Sequence, residues 1–262
     1  MKIGVCCGIE NWKTVAECGY DYIEGRFSWL CELTDADFHD AESKLASIGL
    51  HMETLNAFFA SGILLYKAEQ NKLRDIMRRG FERAARLGAE IAVVGSGTQR
   101  KAQDGMSVND AEHRFADILH ICGEEAQRVG MIAAVEPLRR QETNVVNTLP
   151  EAHRVCGLAA HPAVGMIVDF FHFYENGETL DELDIVKDKL VHAHLARPND
   201  DRFAPGEEDL PVLRAWAEKL YRIGYKGRIS MECSWGDRYE EGLRTGLPVM
   251  NVFRKAAEGA KV

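Results

Sequence analysis

Four apolar runs in the second half of the chain each end in a side chain that can bind a metal ion. Met131-Ile-Ala-Ala-Val runs into Glu136 and is stopped by Pro137. Gly165-Met-Ile-Val ends at Asp169, Leu190-Val-His192-Ala ends at His194, and Gly227-Arg-Ile-Ser-Met ends at Glu232. Short apolar runs of this kind read as strands buried on both faces, the kind found in parallel sheets. In a parallel α/β barrel the C-terminal ends of the strands converge on one face, where such folds keep their chemistry. Loading the same end of four successive strands with carboxylates and an imidazole demands a fold in which those ends meet.

The remaining sequence supplies that fold. Strand-like runs at Lys2–Cys6, Tyr20–Glu24, His51–Leu55, Ile91–Gly95, Met131–Glu136, Val164–Asp169, Leu190–Leu195 and Arg228–Glu232 alternate with longer segments whose apolar residues recur at helical spacing. The helical segments are Asp35–Ile48, Leu64–Leu87, Val108–Val129, Pro150–Leu158, Leu180–Lys187, Pro211–Ile223 and Gly246–Ala257. Ser107 stands where the third of these needs an N-cap. Glycines such as Gly49 and Gly224 stand where a left-handed C-cap would turn the chain back toward the next strand. Eight strands alternating with helices is the closed-barrel count, and 262 residues suits one such barrel, whose usual size is about 250. The expected fold is α/β, a (β/α)8 TIM barrel forming a single domain over residues 1–262; a doubly wound open sheet is the alternative.

Composition narrows the function. A hydrophobic content of 46% and a charged content of 28% are those of an ordinary soluble globular protein. A net charge of −9 argues against a partner with a phosphate backbone, which calls for a basic face. Seven cysteines without a Cys-x-x-Cys pair fit reduced thiols in a cytoplasmic protein, and the adjacent Cys6 and Cys7 would point to opposite faces of a strand, unlike a ligand pair. No secretory leader is legible at Met1-Lys-Ile-Gly-Val, and no apolar run approaches the ~20 residues of a membrane span. Neither nucleic acid nor membrane is expected as a partner.

Each candidate site residue also has a plain structural reading. Glu136 and Glu232 suit a solvated rim, Asp169 suits the cap of a βα turn, and a lone histidine is more often a satisfied core residue than a ligand. His192 and His194 alternate along one strand and share a face, so both can point inward. Taken together, two Glu, one Asp and one His on successive strand ends offer oxygen and nitrogen donors with no thiolate, a set suited to Mn2+, Mg2+ or Co2+ rather than a structural zinc site. Glu24, Arg26, Glu53, Asn56 and the Gly95-Ser96-Gly97 turn are expected near the same mouth. Phe58, Phe59, Phe171, Phe173 and Trp235 are candidates for an apolar wall against a substrate, about half of them structural.

With these residues in order, the chain resembles the xylose-isomerase-like TIM-barrel superfamily, and within it the ketose epimerases related to D-tagatose 3-epimerase. The resemblance rests on Glu136-Pro-Leu with Glu142-Thr-Asn144, Val168-Asp169-Phe-Phe-His172, His192-Ala-His194, and Gly224-Tyr-Lys-Gly227 leading to Met231-Glu232. Leu55-Asn56-Ala-Phe58 and Val94-Gly95-Ser-Gly97-Thr-Gln-Arg100 extend it toward the N-terminus. It implies that Glu136, Asp169, His194 and Glu232 hold one divalent metal ion, with Mn2+ foremost and Mg2+, Co2+ or Zn2+ as alternatives. It implies that Glu136 and Glu232 are also the catalytic acid–base pair. Glu142, His172 and an arginine after the seventh strand would contact substrate oxygens; Arg202, before Phe-Ala-Pro205-Gly206, fits that arginine with a small insertion. Arg197 departs from the pattern, where an acidic residue is usual, and is a second candidate for binding an anionic substrate group.

The implied chemistry suits these residue types. Removing a proton from a carbon beside a ketone requires a base and a place for the enediolate charge, which a divalent ion chelating adjacent oxygens supplies as a Lewis acid. Two carboxylates on opposite sides of the substrate can exchange protons at the two faces of one carbon and invert it; one base and a neighbouring carbon give aldose–ketose isomerisation instead. The expected function is therefore C3 epimerisation of a ketose or ketose derivative, with a small-molecule sugar or sugar acid as partner. A hydroxypyruvate-type isomerase and a metal-retaining sugar- or inositol-binding barrel are the alternatives. A zinc endonuclease is disfavoured because the early strands lack the extra His and Asp ligands. Homo-oligomerisation is left open.

Overall fold

In the computed structural model, which describes residues 1–198 and 202–258, parallel pairing runs unbroken around the sheet. The strands are β1 (Lys2–Cys6), β2 (Tyr22–Arg26), β3 (Met52–Asn56), β4 (Ile91–Val94), β5 (Ile132–Val135), β6 (Val164–Asp169), β7 (Leu190–Leu195) and β8 (Arg228–Met231). Each pairs with its sequence neighbours, and β8 pairs with β1 to close the barrel. The α/β barrel expected from the sequence is the fold observed, and the open sheet is excluded.

Around it lie α1 (Trp12–Cys18), α2 (Phe27–Glu32), α3 (Asp35–Ile48), α4 (Gln70–Arg86), α5 (Gly97–Arg100) and α6 (Val108–Gln127). The second half carries α7 (Leu149–Ala159), α8 (Phe170–Glu175), α9 (Glu182–Val186), α10 (Leu210–Arg222) and α11 (Tyr239–Ala257). Caps mark the boundaries as the sequence suggested: the Ser107 hydroxyl accepts from Asp110 N, and Gly49 and Gly224 adopt φ of 72° and 79°.

Boundaries moved where side chains outside the periodic pattern tie down the backbone. β2 begins two residues later than expected because Asp21 accepts from Ile3 N at 2.7 Å and Tyr20 donates to Leu243 O at 2.8 Å, which keeps Tyr20 in the helical layer. α11 starts at Tyr239 instead of Gly246: its exposed first turns carry the Glu240–Arg244 pair, a charged i,i+4 contact that apolar periodicity misses.

The barrel interior divides in two. Ile91, Val93, Ala134 and Ile167 form a small apolar cluster of their own, separate from the large layer between strands and helices. On the other side are buried polar groups: Tyr22 bonded to Ser230 at 2.7 Å, and Glu24, Thr54 and His192. This polar half departs from the branched aliphatic layers usual in such barrels, and it lies beneath the ends of β7 and β8, which lead to His194 and Glu232.

Candidate active site and metal centre

Glu136 follows the last residue of β5, and its placement depends on β4. A Cβ on Gly95 would lie 2.2 Å from Glu136 Oε2, so only glycine leaves room for that carboxylate. Arg100 anchors the backbone beneath. Its fully buried guanidinium donates to the carbonyls of Glu136 (2.8 Å), Gly95 (2.9 Å), Val145 (3.0 Å), Val146 (3.0 Å) and Val94 (3.3 Å). Burial brings this arginine down to about 10.

Asp169 ends β6 and caps α8, and both readings of it hold, one oxygen each. Oδ1 accepts from Phe171 N at 2.8 Å and His172 N at 3.4 Å, leaving Oδ2 for the barrel mouth. Across the ladder Asp169 is in register with His194. His194 Nδ1 lies 3.3 Å from Glu136 Oε1 and 3.3 Å from Glu232 Oε2. Glu232 follows β8; Asn56 Nδ2 donates to its Oε1 at 2.7 Å, and Arg202 bridges its Oε2 to Asp169 Oδ2. Ligand atoms of Glu136, Asp169, His194 and Glu232 all fall within 4.8 Å of one another.

Three carboxylates this close create a field that demands positive charge. Burial raises Glu136, and the Glu232 carboxylate raises it further against the His194 bond that lowers it. Burial would raise Glu232 too, but Arg202 and His194 overcome it and hold the group far below the carboxylate range. His194 is drawn well above its ordinary value although burial opposes this, chiefly by Glu24 and Glu232. Arg202 holds its position at a left-handed φ of 52°, an unfavourable backbone for a side-chain-bearing residue that its two ion pairs stabilise. Three carboxylates and one imidazole, all buried but the half-buried Glu232 and free of thiolate, fit a hard divalent cation. A second group, Cys6 with Glu24 and His194, has ligand atoms equally close. There His194 Nε2 is already bonded to Glu24 and burial pushes the Cys6 thiol well up, so it is the underside of the first group.

A family model described as a xylose isomerase-like TIM barrel matches residues 12–251. The chain belongs to that family. Fructoselysine 3-epimerase of Escherichia coli O157:H7 is 25% identical over 256 residues, covering 88% of this chain and 90% of that protein. The 3-dehydro-D-guloside 4-epimerase of Escherichia coli K12 is 26% identical over 235 residues, 86% of each. Among solved structures, apo 3-keto-D-glucoside 4-epimerase from E. coli superposes with a TM-score of 0.78 at 23% identity, over 93% of this chain and 97% of that one. D-psicose 3-epimerase from Clostridium cellulolyticum H10, solved with D-tagatose, gives 0.76 at 18% identity over 99% and 96%. At these identities the superpositions establish the shared fold.

Within this xylose isomerase-like barrel the other candidates take distinct places. His172 is buried beside the cluster, Nε2 3.6 Å from Asp169 Oδ2, and its Nδ1 has no hydrogen-bond partner among the described residues. Glu142 sits on the rim, paired with Arg139 at 2.9 Å; Arg139 and Arg202 both lie over the Phe171 ring. Arg197 pairs with Glu208 at 3.0 Å and Asp209 at 3.8 Å and lines a cavity of about 140 Å³ with Phe203, Ser234, Trp235 and Arg238.

Several mouth candidates lie elsewhere. Glu53 bonds Lys2 and Arg228, which begin β1 and β8, so it closes the opposite end of the barrel. Phe58 stacks on Phe27, and Phe173 packs edge-on to Phe170, so both belong to the helical layer; Phe59 is buried edge-on to Phe58. Glu24 is under the site instead of at its rim. The sequence carried no signal for the role of Arg100, because a buried arginine serving only carbonyls matches no periodic pattern.

Proposed function

We propose that this chain is a divalent-metal-dependent sugar epimerase that inverts C3 of a ketose or ketose derivative, with Glu136 and Glu232 as its acid–base pair. The observation that carries this reading is the placement of the two carboxylates on different strand ends, each 3.3 Å from the same His194 nitrogen. Inversion requires a proton to leave one face of a carbon and another to arrive at the opposite face, which two flanking carboxylates supply. The coarser activity, a sugar epimerase or isomerase, is supported by relatives over most of the chain that bear epimerase names. One neighbour's name, 3-keto-D-glucoside 4-epimerase, specifies a keto group and the adjacent carbon as the one inverted. A proton beside a ketone is the one this pair is built to move.

Glu136, Asp169, His194 and Glu232 would hold the ion, Mn2+ first, then Mg2+, Co2+ or Zn2+. When bound it supplies Lewis-acid charge to the ketone oxygen and its neighbour. The protein's own residues do the rest. Asn56 and Arg202 orient Glu232, while Gly95 and Arg100 set the position of Glu136. His172 Nδ1 is assigned to a substrate oxygen, Arg202 and Glu142 to others, and Arg197 to the cavity where a substituent on the sugar would extend. Burial of the cluster keeps bulk water from competing for the transferred proton. An aldose–ketose isomerase acting on a short sugar acid ranks second, because Arg197, which would answer the acid, is already paired with Glu208 and Asp209. We take residues 1–262 as one domain, of which 199–201 and 259–262 lie outside the described residues, and the cytoplasm as its compartment, in keeping with seven unbridged cysteines.

Incubation of Mn2+-loaded protein in D2O with ketoses and hydroxypyruvate, followed by NMR of the small molecules once separated from protein and metal, tests the reading. Deuterium at C3 together with the C3 epimer is expected; label at C1 with aldose formed, or tartronate semialdehyde from hydroxypyruvate, moves the assignment to an isomerase. Glu232→Gln is expected to abolish exchange while substrate binding remains measurable, and full turnover in that variant would remove Glu232 as a base.

A further inference from the structure

Glu24 is outside the four-residue ligand set, yet it is fully buried directly beneath it. Its two oxygens receive three hydrogen bonds. His194 Nε2 lies 2.7 Å from Oε1, while His192 Nε2 and Thr54 Oγ1 lie 2.9 and 2.7 Å from Oε2. An ionised carboxylate only accepts, so each of these contacts requires a proton on the facing atom. For His194 that places the proton on Nε2. Nδ1, the nitrogen that faces Glu136 and Glu232, is therefore the one that would shed its proton to bind a cation, because Nε2 keeps its own for Glu24.

We propose that Glu24 is a positioning residue of the metal centre: it fixes the Nε2–H tautomer and the ring orientation of His194, so that Nδ1 is the donor offered to the divalent ion. The inference rests on the metal-centre reading above and adds a residue to it. Thr54 and His192 complete the device. By occupying Oε2 they stop the carboxylate from rotating off His194, and the His192 ring stands edge-on to that of His194, 4.9 Å away at 90°. A metal-bound histidine ordinarily gives its other N–H to a carboxylate or carbonyl, which orients the ring and raises its basicity. Here the carboxylate comes from β2, on the far side of the closure from β7, so a residue near the start of the chain sets a ligand near its end.

Glu24→Gln keeps the size, removes the charge, and turns an amide NH2 toward one of three groups that are themselves donors. The test uses the full chain and Mn2+ alone, without substrate. Nitrogen-15 histidine NMR of the parent protein before metal addition should show His194 with Nε2 protonated, and Mn2+ titration should show Glu24→Gln binding about 10–100-fold more weakly. Equal Mn2+ affinity in a folded Glu24→Gln would overturn the inference. So would a bare Nε2 on His194 in the parent, a measurement that needs no variant to fold. A parent that binds no Mn2+ overturns the metal-centre reading, and this role of Glu24 with it. A parent that binds Mn2+ while Glu24→Gln matches it leaves that reading standing and removes only Glu24.

Discussion

Replacing Arg100 with methionine tests whether the site is held from below by this arginine. The guanidinium is the donor for five carbonyls, of which those of Val94 and Val146 also accept from Glu136 N and Leu138 N. Methionine would leave the carbonyls of Gly95, Glu136 and Val145 with no other donor described here, a cost of roughly 1–3 kcal/mol apiece. Against this stands the relief of no longer burying a cation: the fall from 12.5 to about 10 corresponds to about 3 kcal/mol against the charged form. The balance, about 3 kcal/mol of destabilisation near the middle of the range, lowers Tm by roughly 6–12 °C for a chain of this size. Because one of those carbonyls belongs to Glu136, turnover should fall further than instability alone accounts for. Calorimetry combined with the D2O exchange assay at a temperature where both proteins remain folded separates the two effects. A Tm within about 2 °C of the parent, with exchange intact, would refute the account, since the carbonyls would then have found other donors at no cost.

Gly95→Ala should leave the fold intact and cut exchange about a hundredfold, because its Cβ displaces the Glu136 carboxylate by an ångström or more; unchanged kcat would show that the carboxylate has room to retreat. Chelation should abolish exchange and Mn2+ restore it, with far-ultraviolet circular dichroism unchanged throughout; exchange that survives chelation would exclude a metal requirement. Glu178 accepts from Leu149 N, yet burial and then Glu182 push it up to about 8. A carboxyl raised in the folded state stabilises most below its unfolded value of about 4.5 and progressively less as pH rises toward 8. Glu178→Gln should therefore gain stability over the parent between pH 5 and about 8 in urea unfolding, and a gap independent of pH would refute the shift.

The strand pattern and the clustering of the candidate ligands are legible because each depends on local sequence. Val164–Asp169 matches its expected bounds because an apolar run ending in one polar residue marks the end of the strand, and Leu190–Leu195 matches because its two histidines alternate with apolar residues. The supports were illegible because they depend on closure. By sequence Glu24 ends a strand at the mouth; because β2 begins at Tyr22, its carboxylate lies deeper in the barrel. Glu53 looked equivalent to Asn56 on the same strand, yet one closes the far end of the barrel and the other holds Glu232. A three-residue separation along β3 spans nearly the depth of that polar interior, at about 3.3 Å per residue, and sequence alone does not fix where the strand enters.

The division of the barrel interior follows from the same requirement. Buried ion pairs and polar networks stabilise less than well-packed apolar side chains of the same volume, so a barrel selected for stability alone would fill its centre as β4 to β6 do, with Ile91, Val93, Ala134 and Ile167. Glu24, Thr54 and His192 forgo that packing under the one proposed ligand, His194, whose donor nitrogen depends on which of two tautomers is present. A carboxylate such as Glu136 has no tautomer to choose and is supported by steric room at Gly95 and by backbone carbonyls held by Arg100. The polar half of the interior therefore lies beneath the imidazole, while the apolar half lies beneath the carboxylate from β5.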